Sequence, residues 1–399
     1  MCWASPGNLA RAFPNRTYYL STKDEVAGET TSTQFSMKIL KEKLFAPITS
    51  VPAVLNRSYY PSIDGLRAVA IITVILYHSS VGTKWNNFTD GTIGVLIFFI
   101  ISGFLITTLL LKEKALKGKI SLKKFYIRRV LRIFPVAYLY IFTLIILHHW
   151  FWFRLSVVNV LTSLLYLKNF PTDTTWLTGH FWTLSVEEQF YLFMPILLIT
   201  NVNRYIKFLA IVFLLVPVLG IWFHNMGISY PHKALHLCVL ILLDLLGKGT
   251  LYILFGSLLS VLVFKKIIVL ERFKNRYYLS LLLFLAAFLV HFVYLVPGIP
   301  YLTALIFTLL IGSVLLLNLY ENNFLTSVLS SPILVKIGKL SYSLYIWQQL
   351  FTLNQPWSGK FKYSGSIVLN LAALFFVAFC SYNFFELKFL KLKKNFEVV

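Results

Sequence analysis

Arg67 and His78 stand eleven positions apart in "DGLRAVAIITVILYH", an apolar run that opens on Asp64. A guanidinium binds anions, and an imidazole takes and returns a proton near neutral pH. On a helix, eleven positions make about three turns. The two side chains then share nearly one face, about 16 Å apart along the axis. If the run spans a membrane from the cytoplasm outward, that spacing suits a ligand that enters from the cytoplasm and reaches deep into the bilayer. The plainer alternative is a basic flank at Arg67 and an interfacial His78 with a water partner. Ionisable groups within a span are costly, however, and usually face an interior cavity or a partner.

Two further groups have useful chemistry. Glu187 and Glu188 open a hydrophobic run in "HFWTLSVEEQFYLFMPILL". Neighbours on a helix diverge by about 100°, so one of the two faces a given cavity. A carboxylate beside a histidine holds its tautomer and raises its basicity. The same pair also fits a helix start capped near Ser185, with acids favoured by the dipole. In "FYIRRVLRIFP", Arg129 and Arg132 are three apart and Arg128 and Arg132 four apart, so each pair shares a helix face. Arg forks suit phosphate oxygens; a basic membrane flank has the same spacing.

These groups need helices in a bilayer to position them. The 399 residues are 58% hydrophobic and 13% charged, with mean hydropathy +0.73. A soluble chain carries about a quarter charged residues, so the chain is read as an all-α, polytopic membrane protein. About 20 apolar residues cross a bilayer. Ten stretches meet that measure: 66–83, 92–111, 131–151, 182–200, 205–223, 248–264, 278–296, 299–318, 337–355 and 366–384. Residues 155–167 and 235–247 are shorter and read as interfacial or re-entrant.

The formal net charge is +22, and it is unevenly placed. Nine Lys and Arg crowd Lys112 to Arg132, and basic clusters recur at Arg204–Lys207, 265–276 and 388–394. The intervening loops hold few. Alternation of this kind places both termini in the cytoplasm. The charge is then cytoplasmic flank facing anionic membrane lipids, and nucleic acid is not an expected partner.

Residues 1–57 read as a tail, disordered at first, with Met37 as an alternative start. Residues 58–387 form the membrane domain, and 388–399 a basic tail. No cleavable signal peptide is evident. Cys2, Cys238 and Cys380 form no pattern. His232 and His236 are four apart, but no acid or thiol set accompanies them, so no metal site is expected.

Several ordered motifs resemble the acyltransferase-3 family of bacterial integral membrane acyltransferases. They are "YYPSIDGLRAVAIITVILYH", "GVLIFFIISGFLITTLLLKE", "FYIRRVLRIFPVAYL", "FWTLSVEEQFYLFMPILL", "GKLSYSLYIWQQLF" and "FFELKFLKLKK", covering about residues 58–394. The resemblance implies transfer of an acyl group, most often acetyl, from acyl-CoA to a hydroxyl of an extracytoplasmic carbohydrate. Lipopolysaccharide O-antigen, exopolysaccharide and peptidoglycan are family acceptors. It implies His78 as catalytic residue, Arg67 as its motif partner, and roles for Arg129, Arg132 and Glu187. Some members carry a fused hydrolase-like domain after the spans; none is expected here. Two departures stand out. Gly94–Val95 is followed by Leu96 where many relatives have Asp, and Gln348 stands where some have His.

The expected mechanism follows. Acetyl-CoA is the donor substrate, with no bound cofactor, and Arg67, Arg129 and Arg132 hold its phosphates. His78 is the general base on the acceptor hydroxyl, or takes the acyl group itself. Glu187 orients His78. Ser102 and Tyr191 are candidate oxyanion donors, and Asp64 and Glu188 further candidates. The expected acceptor is a cell-envelope carbohydrate or glycolipid, and the expected location the inner membrane. A transporter or flippase of a glycan intermediate is the alternative, and a non-catalytic scaffold a third.

Overall fold

The computed structural model describes residues 38–84, 89–170, 173, 175–226, 233–247, 249–273, 276–293, 300–320 and 323–397. Met1–Ala46 and Pro47–Val399 are separate compact units. In the first, residues 38–45 are helical. The expected disordered start and Met37 lie outside the described residues, as does His232.

The regular structure of the second unit is all helical, with no strand among its described residues. Its principal helices are α1 (Pro61–Ser80), α2 (Gly91–Lys117), α3 (Leu122–Phe151), α4 (Phe181–Thr200), α5 (Val202–Met226), α6 (Thr250–Phe264), α7 (Leu279–Val293), α8 (Pro300–Leu317), α9 (Pro332–Thr352), α10 (Ile367–Cys380) and α11 (Leu387–Lys394). A π-helical turn, Ser381–Glu386, joins the last two. Proline at the first position starts α1 and α9, where its missing N–H costs nothing. Asp90 caps α2 through Thr92 N at 2.7 Å, and Gly118 ends it in the left-handed region.

A helix stands on each of the ten predicted stretches. Five spans are long and apolar enough to cross a membrane by length and composition: α1, α2, α3, residues 202–222 of α5, and the continuous run Ile367–Lys394. A sixth arises if Leu237–Leu246 and α6, bent by 45°, act as one broken span. The expected ten is therefore met by helices but not by crossings of that standard. The reason lies in the side chains. Helices α4 and α9 carry the polar blocks "TLSVEEQ" and "GKLSYS", and α7 and the apolar part of α8 are short. The protein is a multi-pass membrane protein. The shorter stretches 155–167 and 235–247 contain the helices Val157–Leu164 and Lys233–Leu246.

Helix α1 is clamped between α2 and α9. A Cβ at Gly94 would collide with the Ala70 carbonyl, and one at Gly338 with the Asp64 carbonyl. Glycine at these two points lets the backbones touch, as small residues do between membrane helices. Helices α2 and α6 pack in the same way and are pinned by Thr107 Oγ1 to Ser257 Oγ at 2.7 Å and Thr108 to Ser260 at 2.9 Å.

Candidate active site

A cavity of about 350 Å³ opens between α1, α2, α3, α4 and α9. Arg67, Arg129 and Arg132 all line it, and so do Asp64, Ser102, Glu187 and Tyr191. Helix α1 supplies Arg67, whose Nη1 donates to Asp64 Oδ1 at 3.3 Å. Tyr59 donates to the other Asp64 oxygen at 2.8 Å. Burial and that hydrogen bond push the Tyr59 hydroxyl up to about 12, so it remains a donor at neutral pH. Helix α3 presents Arg129 and Arg132 one turn apart. The Arg129 guanidinium lies over the Tyr191 ring, 5.6 Å from its centroid, and over Phe125 at 5.7 Å. Its Nε is buried without a hydrogen-bond partner among the described residues. Arg128 turns away to Glu113, at 3.4 Å.

Glu187 sits among these arginines, beside Ser102. Ser102 Oγ and the Tyr191 hydroxyl form a short hydrogen bond. Glu188, the neighbour, is not in the cavity wall; it faces Tyr166 and Tyr138 near Arg129. The divergence expected of adjacent helical carboxylates is thus realised.

Thr183 and Tyr345 also line the cavity, and their hydroxyls lie 2.6 Å apart. Tyr345 also donates to the His180 carbonyl at 3.2 Å and packs edge-on against Phe98. One helical turn beyond Tyr345 on α9 come Gln348 and Gln349, and these hold two histidines. His78 Nδ1 lies 2.7 Å from Gln348 Oε1. His180 Nδ1 lies 2.9 Å from Gln349 Oε1, which also accepts from the His180 backbone N–H at 3.3 Å. An amide oxygen only accepts, so each Nδ1 carries a proton, and in the neutral ring the lone pair is on Nε2. The His180 Nε2 and Gln348 Nε2 are buried without partners among the described residues. Trp176 packs edge-on to His78 at 5.1 Å, and its indole N–H donates to the Gln349 carbonyl at 2.9 Å.

The expected contact between Glu187 and His78 is not made. His78 takes Gln348 instead, and Glu187 faces the arginines. The reason is depth. His180 is level with the His78 cluster, and Glu187 follows it by seven positions, about 10 Å along α4. Spacing along one helix could not reveal where α4 slides against α1.

Sequence reading also passed over Lys112, Lys393, His180, Gln349 and Glu386. Glu386 is buried and accepts from Ser343 Oγ at 2.6 Å, close to Arg132 and Arg67. A usable signal was present in "IWQQLF". Two adjacent amides in an apolar helix are costly unless they meet polar partners.

Chemically, the arrangement offers anion recognition at one end and an oriented imidazole at the other. The described residues contain no group of three or more metal-ligating side chains.

A family model described as an acyltransferase domain matches residues 60–385. A candidate O-acetyltransferase of Staphylococcus aureus strain COL is 30% identical over 321 residues, 72% of this chain and 50% of that protein. The peptidoglycan O-acetyltransferase OatA of Listeria monocytogenes is 29% identical over 369 residues, 83% of this chain and 56% of its own. A candidate peptidoglycan O-acetyltransferase of Bacillus subtilis, YrhL, is 33% identical over 165 residues, 37% of this chain and 25% of its own. The chain spans about half the length of the first two relatives. No solved structure matches it. With the family model covering most of its helices, the chain belongs to the acyltransferase-3 family of membrane proteins.

Proposed function

We propose that this protein is a membrane O-acyltransferase that moves an acyl group, acetyl in the first instance, from acyl-CoA to a hydroxyl of a cell-wall carbohydrate. One observation carries the reading. A single cavity lined by Arg67, Arg129 and Arg132 runs to Tyr345, one helical turn short of the Gln348–His78 pair.

In this reading all ten helices α1–α10 cross the cytoplasmic membrane, with both termini inside. The arginine end then opens to the cytoplasm and His78 lies in the outer half. The basic flanks support that orientation. Acyl-CoA enters from the cytoplasm, its phosphates on the arginines and its pantetheine arm along the cavity. The His78 Nε2 lone pair takes the acceptor O–H proton as the oxygen attacks the thioester carbonyl. The C–S bond breaks, and the CoA thiolate leaves with that proton. Gln348 keeps His78 in the required tautomer throughout. Ser102 and Tyr191, which face Glu187, are held for the donor end and are not oxyanion donors beside His78. Peptidoglycan carbohydrate is the favoured acceptor over lipopolysaccharide or exopolysaccharide, supported by the names of two relatives.

The test uses purified protein in nanodiscs with acetyl-labelled acetyl-CoA, a panel of glycans and wild type against His78→Ala. Label transfer to muropeptide glycan that disappears in the variant supports the proposal. Transfer that persists in the variant removes His78 from the chemistry. Glycan movement across vesicles without CoA release would favour the transporter.

A further inference from the structure

We propose that Lys393, on helix α11, is a direct phosphate ligand in the Arg67–Arg129–Arg132 cavity, and that Arg128 is the positioning residue that holds α11 there. The inference rests on reading that cavity as the donor site.

Helix α11 continues from the π-helical turn and packs along α3. This brings a residue near the end of the chain into the wall of the cavity: Lys393 lines it beside Arg129 and Arg132. Its recorded ion pair is with Glu397, at 3.9 Å, and that carboxylate is half exposed. A screened pair one turn away does little to offset three neighbouring guanidinium groups. Among the described residues, Arg67, Lys112, Arg129, Arg132 and Lys393 line the cavity with two carboxylates, Asp64 and Glu187, and Glu386 lies close to Arg132 and Arg67. Cations outnumber carboxylates around it. Like charges gathered in a low-dielectric wall repel strongly unless an anion joins them. A nucleotide with a pyrophosphate and a separate phosphate monoester brings about four negative charges at neutral pH. Charge sign and charge placement therefore suit a ligand of that class, with Lys393 supplying a point charge and the arginines the planar forks.

Arg128 has a different task. Its Nη1 donates to the Phe396 carbonyl at 2.8 Å, three residues past Lys393. Its Nη2 donates to Glu113 Oε2 at 3.4 Å, and Glu113 Oε1 accepts the Ser121 backbone N–H at 2.6 Å. The guanidinium is buried, and these two bonds tie the segment after α11 to the corner between α2 and α3. The sequence pairs Arg128 with Arg132 on one face; the structure gives them separate work.

The experiment measures calorimetric affinity for CoA and for acetyl-pantetheine, which lacks the nucleotide, using the full chain in nanodiscs. Wild type is compared with Lys393→Gln, Lys393→Arg and Arg128→Gln. Expected results are a roughly tenfold loss of CoA affinity in Lys393→Gln, recovery in Lys393→Arg, and unchanged acetyl-pantetheine binding in both. Arg128→Gln should weaken CoA binding as well, and should also expose residues 387–397 to limited proteolysis, which Lys393→Gln should not. Unchanged CoA binding in Lys393→Gln overturns the inference. So does equal loss of both ligands, because a structural collapse and not a missing phosphate contact would explain it. Wild type that binds acetyl-pantetheine but not CoA overturns the donor reading itself.

Discussion

Gln348 Oε1 and His78 Nδ1 are 2.7 Å apart on helices whose backbones touch at Gly338. In the proposed mechanism a neutral amide does the orienting that a carboxylate does in a hydrolase triad, and it brings no charge to stabilise an imidazolium. Gln348→Leu should lower kcat by about 100-fold, within the range of a lost base orientation. KM for acyl-CoA should stay within twofold, because the amide lies outside the cavity wall. Gln348→Glu keeps an acceptor at Nδ1 and should recover much of kcat. Steady-state kinetics of CoA release decide it; a KM change in Gln348→Leu with kcat intact would place the residue in donor binding.

The arginines should behave in the opposite way. Arg129→Gln or Arg132→Gln removes charge at the anion end only, and should raise KM for acyl-CoA by about tenfold per phosphate contact, roughly 1.4 kcal/mol. Raising salt should weaken wild-type donor binding more than that of either variant. Kinetics at two ionic strengths measure this.

Tyr345 and Thr183 line the cavity one helical turn before Gln348, the partner of His78. In the proposed reaction, a thioester reaching His78 passes this hydroxyl pair. Tyr345→Phe breaks the contacts to Thr183 and to the His180 carbonyl. Acceptor-independent CoA release should rise severalfold, read as thiol appearance without glycan. No rise would mean that the pair is packing and not a barrier.

At the start of α2, Asp90 Oδ2 lies 2.6 Å from His291 Nε2. Burial alone would raise the Asp90 carboxyl, but its hydrogen bonds to His291 and Thr92 hold it down at about 2. A carboxyl depressed in the folded state adds stability above its unfolded value near 3.8, and loses it as pH falls toward 2. Partial exposure screens the pair, so the contribution is about 1 kcal/mol. Thermal unfolding in detergent should show Tm falling between pH 4 and 2 in wild type. In Asp90→Asn the Tm should start lower at pH 7 and fall less over that window.

Gly338→Leu tests the clamp on α1. The side chain must displace the Asp64 backbone, moving α9 and with it Gln348. Loss of several degrees in Tm together with loss of kcat is expected, since overpacking costs about 1–3 kcal/mol. Intact kcat with a lowered Tm would separate helix packing from His78 alignment.

Much of this molecule is written locally. Apolar runs bounded by proline and glycine locate the helices. The motifs from Asp64 to Phe385 locate the family, because both depend on residues near one another in the chain. Arg67, Arg129 and Arg132 are legible as a set only through the family motifs, since a basic membrane flank gives the same spacing. What surrounds His78 is not local. Gln348 is 270 positions away, and its pairing depends on how far α9 slides past α1, which contact between Gly338 and Asp64 sets. The same holds for Glu187. Its place on α4 is fixed by the sequence, yet whether it meets a histidine or three arginines depends on the axial offset of two packed helices. Lys393 reaches the cavity only because α11 folds back along α3. Those offsets come from side-chain packing over whole helix faces, so tertiary structure alone decided them.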